Sequence, residues 1–256
     1  MSIHPTAIVN ANARLGSDVE IGPYCVVGAG VCIGDRVRLL GHVFMDGQTA
    51  VGADSVIYPF ASIGTQTQDL KFKGGRTSVE IGERTTLREY VTVNSGTNEG
   101  DVTRVGSDCH IMAYCHIAHQ CAVGNGVIMS NLATLAGHVI IGDRAVIGGM
   151  TGIHQFVRIG TLSMVGACSK ATMDIPPYMI ADGNPAALHG PNSVGLQRNN
   201  IGAEARSRIK EAYRILCRSG LSTSQAIERI RAEVEPCPET DILLAFIEAS
   251  ERGIAK

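Results

Sequence analysis

Nearly every sixth residue from Ile3 to Ala171 is aliphatic, and that period decides what the chain can fold into. The run reads Ile3, Val9, Leu15, Ile21, Val27, Ile33, Leu39, Met45, Val51, Ile57 and Ile63, resumes at Ile81, Leu87 and Val93, and continues from Val105 to Ala171. Only Asp69, Gly75 and Glu99 break it. An α-helix repeats near 3.6 residues and a strand at 2, so neither carries this phase. A parallel β-helix does, each hexad supplying one short strand and one turn with its aliphatic residue facing inward. Three hexads close a triangular coil of about 18 residues, and coils stack at the strand spacing of roughly 4.8 Å. A β-sandwich with regular turns would not hold one phase over this span. Gly often follows the aliphatic residue, as in Ile21-Gly22, Ile33-Gly34 and Ile147-Gly148, where it is expected to permit turn conformations that a Cβ would penalise.

Composition agrees with a narrow aliphatic interior: 30 Gly, no Trp and 4% aromatics stand beside 45% hydrophobic residues. A formal net charge of -2 offers no electrostatic case for nucleic acid. The 8 Cys form no CxxC pair and read as reduced, mostly buried thiols of a cytoplasmic protein. No apolar stretch approaches the roughly 18 residues that span a bilayer, so no membrane insertion is expected.

Both interruptions preserve the phase, so loops near 64–80 and 95–104 leave the prism and return to the same corner. Loops carried by a rigid scaffold are where binding groups usually sit. After Ala171 the rhythm ends in Asp174-Ile175-Pro176-Pro177-Tyr178 and Gly183-Asn184-Pro185. From about Ala203 the period becomes helical, with Ile209, Ala212, Tyr213, Leu216 and Cys217 on one face. Ser222 and Gln225 form a capping box for a second helix, and Asp241 to Ser250 supplies a third. The expected domains are a β-helix over 1–188 and a small α-helical domain over 189–256.

Coil arithmetic then locates chemistry. Adding 18 to His119 gives Gly137, next to His138, and adding 18 again gives Gln155, next to His154. With His116, these histidines gather on one side of consecutive coils. A column of charge-switchable groups on a regular scaffold points to a site. Zinc held by three histidines is one reading, as in a hydratase of this fold, but the flanking Cys115 and Cys121 lack ligand spacing. A general base is the second reading, and a non-catalytic scaffold the third.

Specific residues sharpen the choice. Gln68-Asp69-Leu70-Lys71, Arg88-Glu89, His116-Ile117-Ala118-His119, Thr134-Leu135-Ala136-Gly137-His138, Gly149-Met150-Thr151, His154-Gln155-Phe156 and Gly183-Asn184-Pro185 are spread over essentially the whole chain. In them the sequence resembles the acyl-carrier-protein-dependent UDP-N-acetylglucosamine 3-O-acyltransferases of lipid A biosynthesis, within the hexapeptide-repeat acyltransferase superfamily.

That resemblance implies an all-β left-handed parallel β-helix, a hand that ordinary crossover rules do not favour. It implies transfer of a 3-hydroxyacyl chain from acyl carrier protein to the 3-position of the UDP-sugar. His119 matches the general base, and Gly137 the residue whose N–H stabilises the oxyanion. Gln68, Asp69, Lys71, His116, His138, His154 and Gln155 match substrate-contacting positions. Asn192 and Arg198 match nucleotide- and phosphate-contacting positions, where a guanidinium suits a diphosphate. Ala167 falls at the far end of the acyl groove. The family assembles as homotrimers with sites between subunits and needs no cofactor or metal. Arg206, Arg208, Lys210, Arg214 and Arg218 would offer the acidic carrier protein a docking surface.

The chain also departs from the pattern. Gln120 stands where relatives usually keep Asp beside the base, and an amide orients the ring without supplying charge. Val194 and Asn199 replace Glu and a second Arg in the nucleotide motif. Asn94-Ser95 replace a His-Arg pair near the sugar, which leaves both UDP-N-acetylglucosamine and its 3-amino analogue open as acceptors.

Overall fold

Strands of mostly two residues alternate with turns from Ser2–Ile3 to Lys170–Ala171, and successive strands go to three different sheets. The computed structural model describes residues 1–256. Its three sheets hold eleven, nine and eight strands and form the faces of a prism. The first face begins at Ser2–Ile3, the second at Ile8–Val9 and the third at Arg14–Leu15. Each strand pairs in parallel with the strand one coil on: Ile117 opposes Leu135, Val123 opposes Ile141 and Met129 opposes Ile147. The expected parallel β-helix is the fold.

Two inward columns fill it. The hexad aliphatics form the first; Met45, Ile63, Leu87, Ile111, Ile117, Leu135 and Ile147 are each 0% exposed. Burying one such side chain contributes about 1.5–3 kcal/mol relative to leaving it in water. Two residues before each aliphatic lies a second, smaller inward residue at the corner, such as Val91, Cys115, Cys121, Ala133 or Val139. This explains half-hidden features of the composition. Cys109, Cys115 and Cys121 fit the cramped corner and each points its thiol at a carbonyl of a later turn, Gly124, Ser130 and Ala136, at 3.1 Å. Thr151 makes the same contact to Gly166 through Oγ1 at 2.8 Å. Burial pushes the Cys121 thiol up to about 12, which removes it as a nucleophile or ready metal ligand. All 8 cysteines are free thiols.

The glycines after the aliphatics are there for a different reason from the one expected. Gly22, Gly34 and Gly148 do not adopt positive φ. A Cβ at Gly34 would come within 2.8 Å of Ala53 N, and one at Gly106 within 2.5 Å of Gly124 O. They give clearance to the coil above. The left-handed conformation falls two residues later, on side chains such as Asp54, Arg84, Tyr114 and Gln120, with φ of 61, 52, 62 and 54°.

The loops are shorter than the sequence suggested, because their ends pair. Ser62–Thr65 and Ser78–Ile81 are strands, so the first excursion is 66–77. Thr92–Asn94 and Val102–Val105 reduce the second to 95–101. Both leave between the second and third faces.

The β-structure also runs past residue 188. A hairpin of Met179–Gly183 and Ala186–Pro191 joins the first face at Met164–Val165 and covers its last strand edge. Four helices follow: α1 (Ser193–Arg198), α2 (Ala203–Arg218), α3 (Thr223–Glu233) and α4 (Pro238–Glu248). The Ser222–Gln225 capping box forms as expected. The short α1 was not anticipated; Asn192 caps it by accepting from Gly195 N–H at 3.0 Å. The C-terminal segment then turns back onto the prism, where Asp174 accepts from Ser250 Oγ at 2.7 Å and Arg158 donates to the Ala249 carbonyl at 2.9 Å. No helix is long and apolar enough to cross a membrane.

Candidate active site

One corner of the prism, between the second and third faces, collects most of the residues singled out from sequence. Loop 66–77 leaves from it first, loop 95–101 one coil later, and His119 lies on the coil after that. Gly137 and His138 follow, then Gln155 and Phe156, because each coil advances the same turn by one strand spacing. At the tip of these turns Gln120, His138 and Phe156 have φ of 54, 61 and 64°. Their side chains form a ladder: His138 stacks on Phe156 with ring centroids 4.6 Å apart, and His119 meets His138 edge-on at 5.3 Å.

A cavity of about 520 Å³ opens beside this ladder, lined by Gln68, Asp69, Leu70, Lys71, Asn94, His116, Ala118, His119, His138, Gln155 and Phe156. A second cavity of about 660 Å³ shares His138 and Phe156 with it and reaches Gln120, Arg158, Asp174 and the C-terminal Glu251 and Arg252. The two loops are joined at the rim. Thr97 Oγ1 donates to Asp69 Oδ2 at 3.3 Å, and the Lys71 N–H donates to Asp69 Oδ1 at 2.9 Å. That backbone N–H, with the nearby charges of His119 and Lys71 and the Thr97 hydroxyl, holds the Asp69 carboxyl below its usual range. Asp69 is therefore an anion at neutral pH.

His119 packs against Gly137 so closely that a Cβ there would overlap its Cε1 and Nε2 atoms. The small residue thus makes room for the imidazole itself, not only for a substrate. Nδ1 of His119 meets Gln120 Oε1, while its Nε2 has no partner in the chain. The Gly137 N–H also donates to no group of the chain. At some matching turn positions a side chain of the next coil takes the N–H, as Ser17 donates to Asp35 Oδ1 and Asn125 to Asp143 Oδ1, both at 2.7 Å, whereas Ala113 and Asn131 leave theirs open as Gly137 does. An imidazole with an open nitrogen beside an open N–H can accept a proton and stabilise a developing negative charge.

His116 lies deeper, its Nδ1 2.7 Å from Thr92 Oγ1. Burial, assisted by the charge of His119, depresses its pKa, and burial does the same to His138. Both are neutral at pH 7. A histidine with a depressed folded pKa leaves the unfolded chain binding more protons below the ordinary value of 6.5. Stability is then full above that value and falls as pH drops through the folded pKa. Thermal unfolding over this window should show a smaller loss for His116→Gln than for the wild type; identical slopes would refute the assignment.

The remaining positions are more scattered. His154 is exposed, its Nδ1 3.1 Å from Arg252 Nη2, and lines neither cavity. Asn192 is buried with both ends of its amide engaged, Oδ1 in the α1 cap and Nδ2 on the Leu162 carbonyl at 2.9 Å. Arg198 is exposed at the end of α1, without an ion-pair partner. Ala167 lies in the turn between the first and second faces, on a different corner from His119, so one chain does not bring the two together. On α2, Arg208 pairs with Glu235 at 2.5 Å and is not a free cation like its exposed neighbours Lys210 and Arg214. No three His, Cys, Asp or Glu side chains of the chain converge as a metal-ligand set. Sequence reasoning missed the C-terminal wall at Ala249–Arg252, for which no local pattern existed, and Thr97 and Asp101 in the second loop.

Comparison with known proteins settles the family. A model for the bacterial transferase hexapeptide matches residues 12–47 and 103–137, and one for the second domain of UDP-N-acetylglucosamine O-acyltransferase matches 174–255. The latter begins before the hairpin and so joins it to the helices. LpxA from Acinetobacter baumannii superposes with a TM-score of 0.97 at 42% identity, over 100% of both chains. The chain belongs to the UDP-N-acetylglucosamine acyltransferases. LpxA of Bacteroides fragilis, described as a UDP-N-acetylglucosamine acyltransferase, is similar at 39% identity and a TM-score of 0.97, covering 99% of this chain and 100% of that one. The Arabidopsis UDP-N-acetylglucosamine acyltransferase shares 31% identity with a TM-score of 0.90 over 99% and 100%. As a member of this acyltransferase family, the chain is an enzyme built on a left-handed parallel β-helix with a small helical domain.

Proposed function

We propose that this acyltransferase moves a 3-hydroxyacyl chain from acyl carrier protein to the 3-hydroxyl of UDP-N-acetylglucosamine, the first step of lipid A biosynthesis, in the cytoplasm. The observation that carries the reading is the open Nε2 of His119 beside the open N–H of Gly137. His119 Nε2 takes the proton of the sugar hydroxyl as its oxygen attacks the thioester carbonyl. The tetrahedral oxyanion accepts from Gly137 N–H, and its collapse expels the carrier's thiolate, which recovers the proton from the imidazolium. Asp69, Lys71, Gln68, His116, His138 and Gln155 surround the sugar, and exposed Arg198 meets the diphosphate. His154 borders the cleft through Arg252.

Ala167 as the limit of the acyl groove requires a neighbouring copy, since its own chain puts it on another corner. The reading therefore includes a homotrimer with sites shared between subunits. The 3-amino analogue is the second reading, favoured by Asn94, a neutral side chain lining the cavity that offers no positive charge to repel an amine.

Mass spectrometry of products from mixed 3-hydroxyacyl carrier-protein donors with both sugar nucleotides tests the reading. An ester on UDP-N-acetylglucosamine with an intermediate or long chain is expected. A dominant amide product would select the analogue, and acyl transfer to neither nucleotide would reject both.

A further inference from the structure

Gln120 occupies a position where a carboxylate was expected, and its amide is held at both ends. Oε1 meets Nδ1 of His119, and Nε2 donates to Oδ2 of Asp101. Asp101 closes the loop 95–101, one coil before His119. The same Oδ2 accepts from Asn98 N–H at 2.6 Å and from Asn98 Nδ2 at 3.0 Å. The Asp101 carbonyl accepts from Ser78 N–H at 3.0 Å, which ties this end of the loop to the prism. Gly96 leaves the space that Asp101 fills, since a Cβ there would overlap Asp101 Cβ. Beneath the amide, the Gln120 N–H donates at 2.9 Å to Oγ1 of Thr103, a fully buried side chain.

Donor and acceptor roles follow from these contacts. Two Asn98 N–H groups already point at Asp101 Oδ2, so that oxygen is an acceptor and the amide end facing it must be the NH₂. The end facing His119 is then the carbonyl oxygen, which also only accepts. Nδ1 therefore carries the ring proton, and Nε2 keeps its lone pair. We propose that Asp101 is a positioning residue, which fixes through the Gln120 amide the His119 tautomer able to take the acceptor's proton. The proposal rests on the reading of His119 as the base. Without an acceptor at position 101 the amide is free to turn over and present its NH₂ to Nδ1. The ring proton then moves to Nε2 and blocks the base.

The test compares Asp101→Ala, Asp101→Asn and Gln120→Ala, alone and with Asp101→Ala added to Gln120→Ala. Asp101→Ala should lower kcat about 10- to 100-fold, with KM for the UDP-sugar within about twofold. Asp101→Asn keeps an acceptor oxygen that the Asn98 donors select, and should restore most of the rate. In the Gln120→Ala background, removing Asp101 should cost nothing further. ¹⁵N shifts of the selectively labelled His119 ring should report Nδ1–H in the wild type and a gain of Nε2–H in Asp101→Ala. An equal loss of kcat with or without Gln120 would overturn the relay, and so would an unchanged tautomer. A changed tautomer with unchanged kcat would instead overturn His119 as the base, so the two failures are distinguishable.

Discussion

His119→Ala is expected to lower kcat for acyl transfer about 10²- to 10⁴-fold, the contribution typical of a positioned general base. A sugar hydroxyl attacks a thioester slowly until its proton is removed, and no other group of the cavity is suited to remove it. His116 and His138 are neutral, but His116 is turned to Thr92 and His138 is stacked on Phe156. Asp69 is a weak base, held as an anion by the Lys71 N–H. The imidazole of His119 is only partly buried and belongs to a turn, so the variant should unfold near the wild-type temperature. Steady-state transfer rates with a parallel thermal melt check this. A variant that folds and turns over at the wild-type rate would remove His119 from the mechanism.

Gly137→Ala should be nearly as damaging, by about 10²- to 10³-fold in kcat, although it deletes no functional group. The added Cβ would overlap the His119 ring, and Gly137 is not in the left-handed region, so alanine meets no backbone penalty there. The imidazole is displaced while the peptide N–H remains, so a large loss reports the space this glycine leaves for the ring and for the substrate beside it. Gly152, in the second-face strand of the following coil, is the control, since a Cβ there meets nothing within 4 Å. Gly152→Ala should leave rate and melting temperature unchanged. If Gly137→Ala keeps the wild-type kcat, the close packing of ring on glycine has no catalytic meaning.

These expectations separate what period conveys from what it does not. Stacking His119, Gly137 and Gln155 needed only steps of one coil, because every regular coil places equivalent turns over one another. The same arithmetic, carried to Ala167, would have put it on another corner, since Val165 belongs to the first face and Ile117 to the second. That assignment came from resemblance, and phase was not applied to it. The glycines were found by pattern but explained by backbone conformation, which is not what they supply. Their role is clearance from the next coil, and a one-dimensional pattern does not distinguish clearance from conformational freedom.

Sequence by itself determined the prism, its two in-phase excursions, the helical tail with its capping box and the column of candidate site residues. Each of these depends on neighbours a fixed number of residues away. Tertiary structure alone decided that Asp101 faces Gln120, that the segment near Arg252 walls the second cavity, and that Asn192 spends its amide on α1 and Leu162. Those contacts join a loop or a tail to a distant coil. Their geometry depends on how an irregular segment packs, and no repeat encodes it. The carboxylate absent from position 120 is present one coil away, at the end of such a loop and in contact with the Gln120 amide.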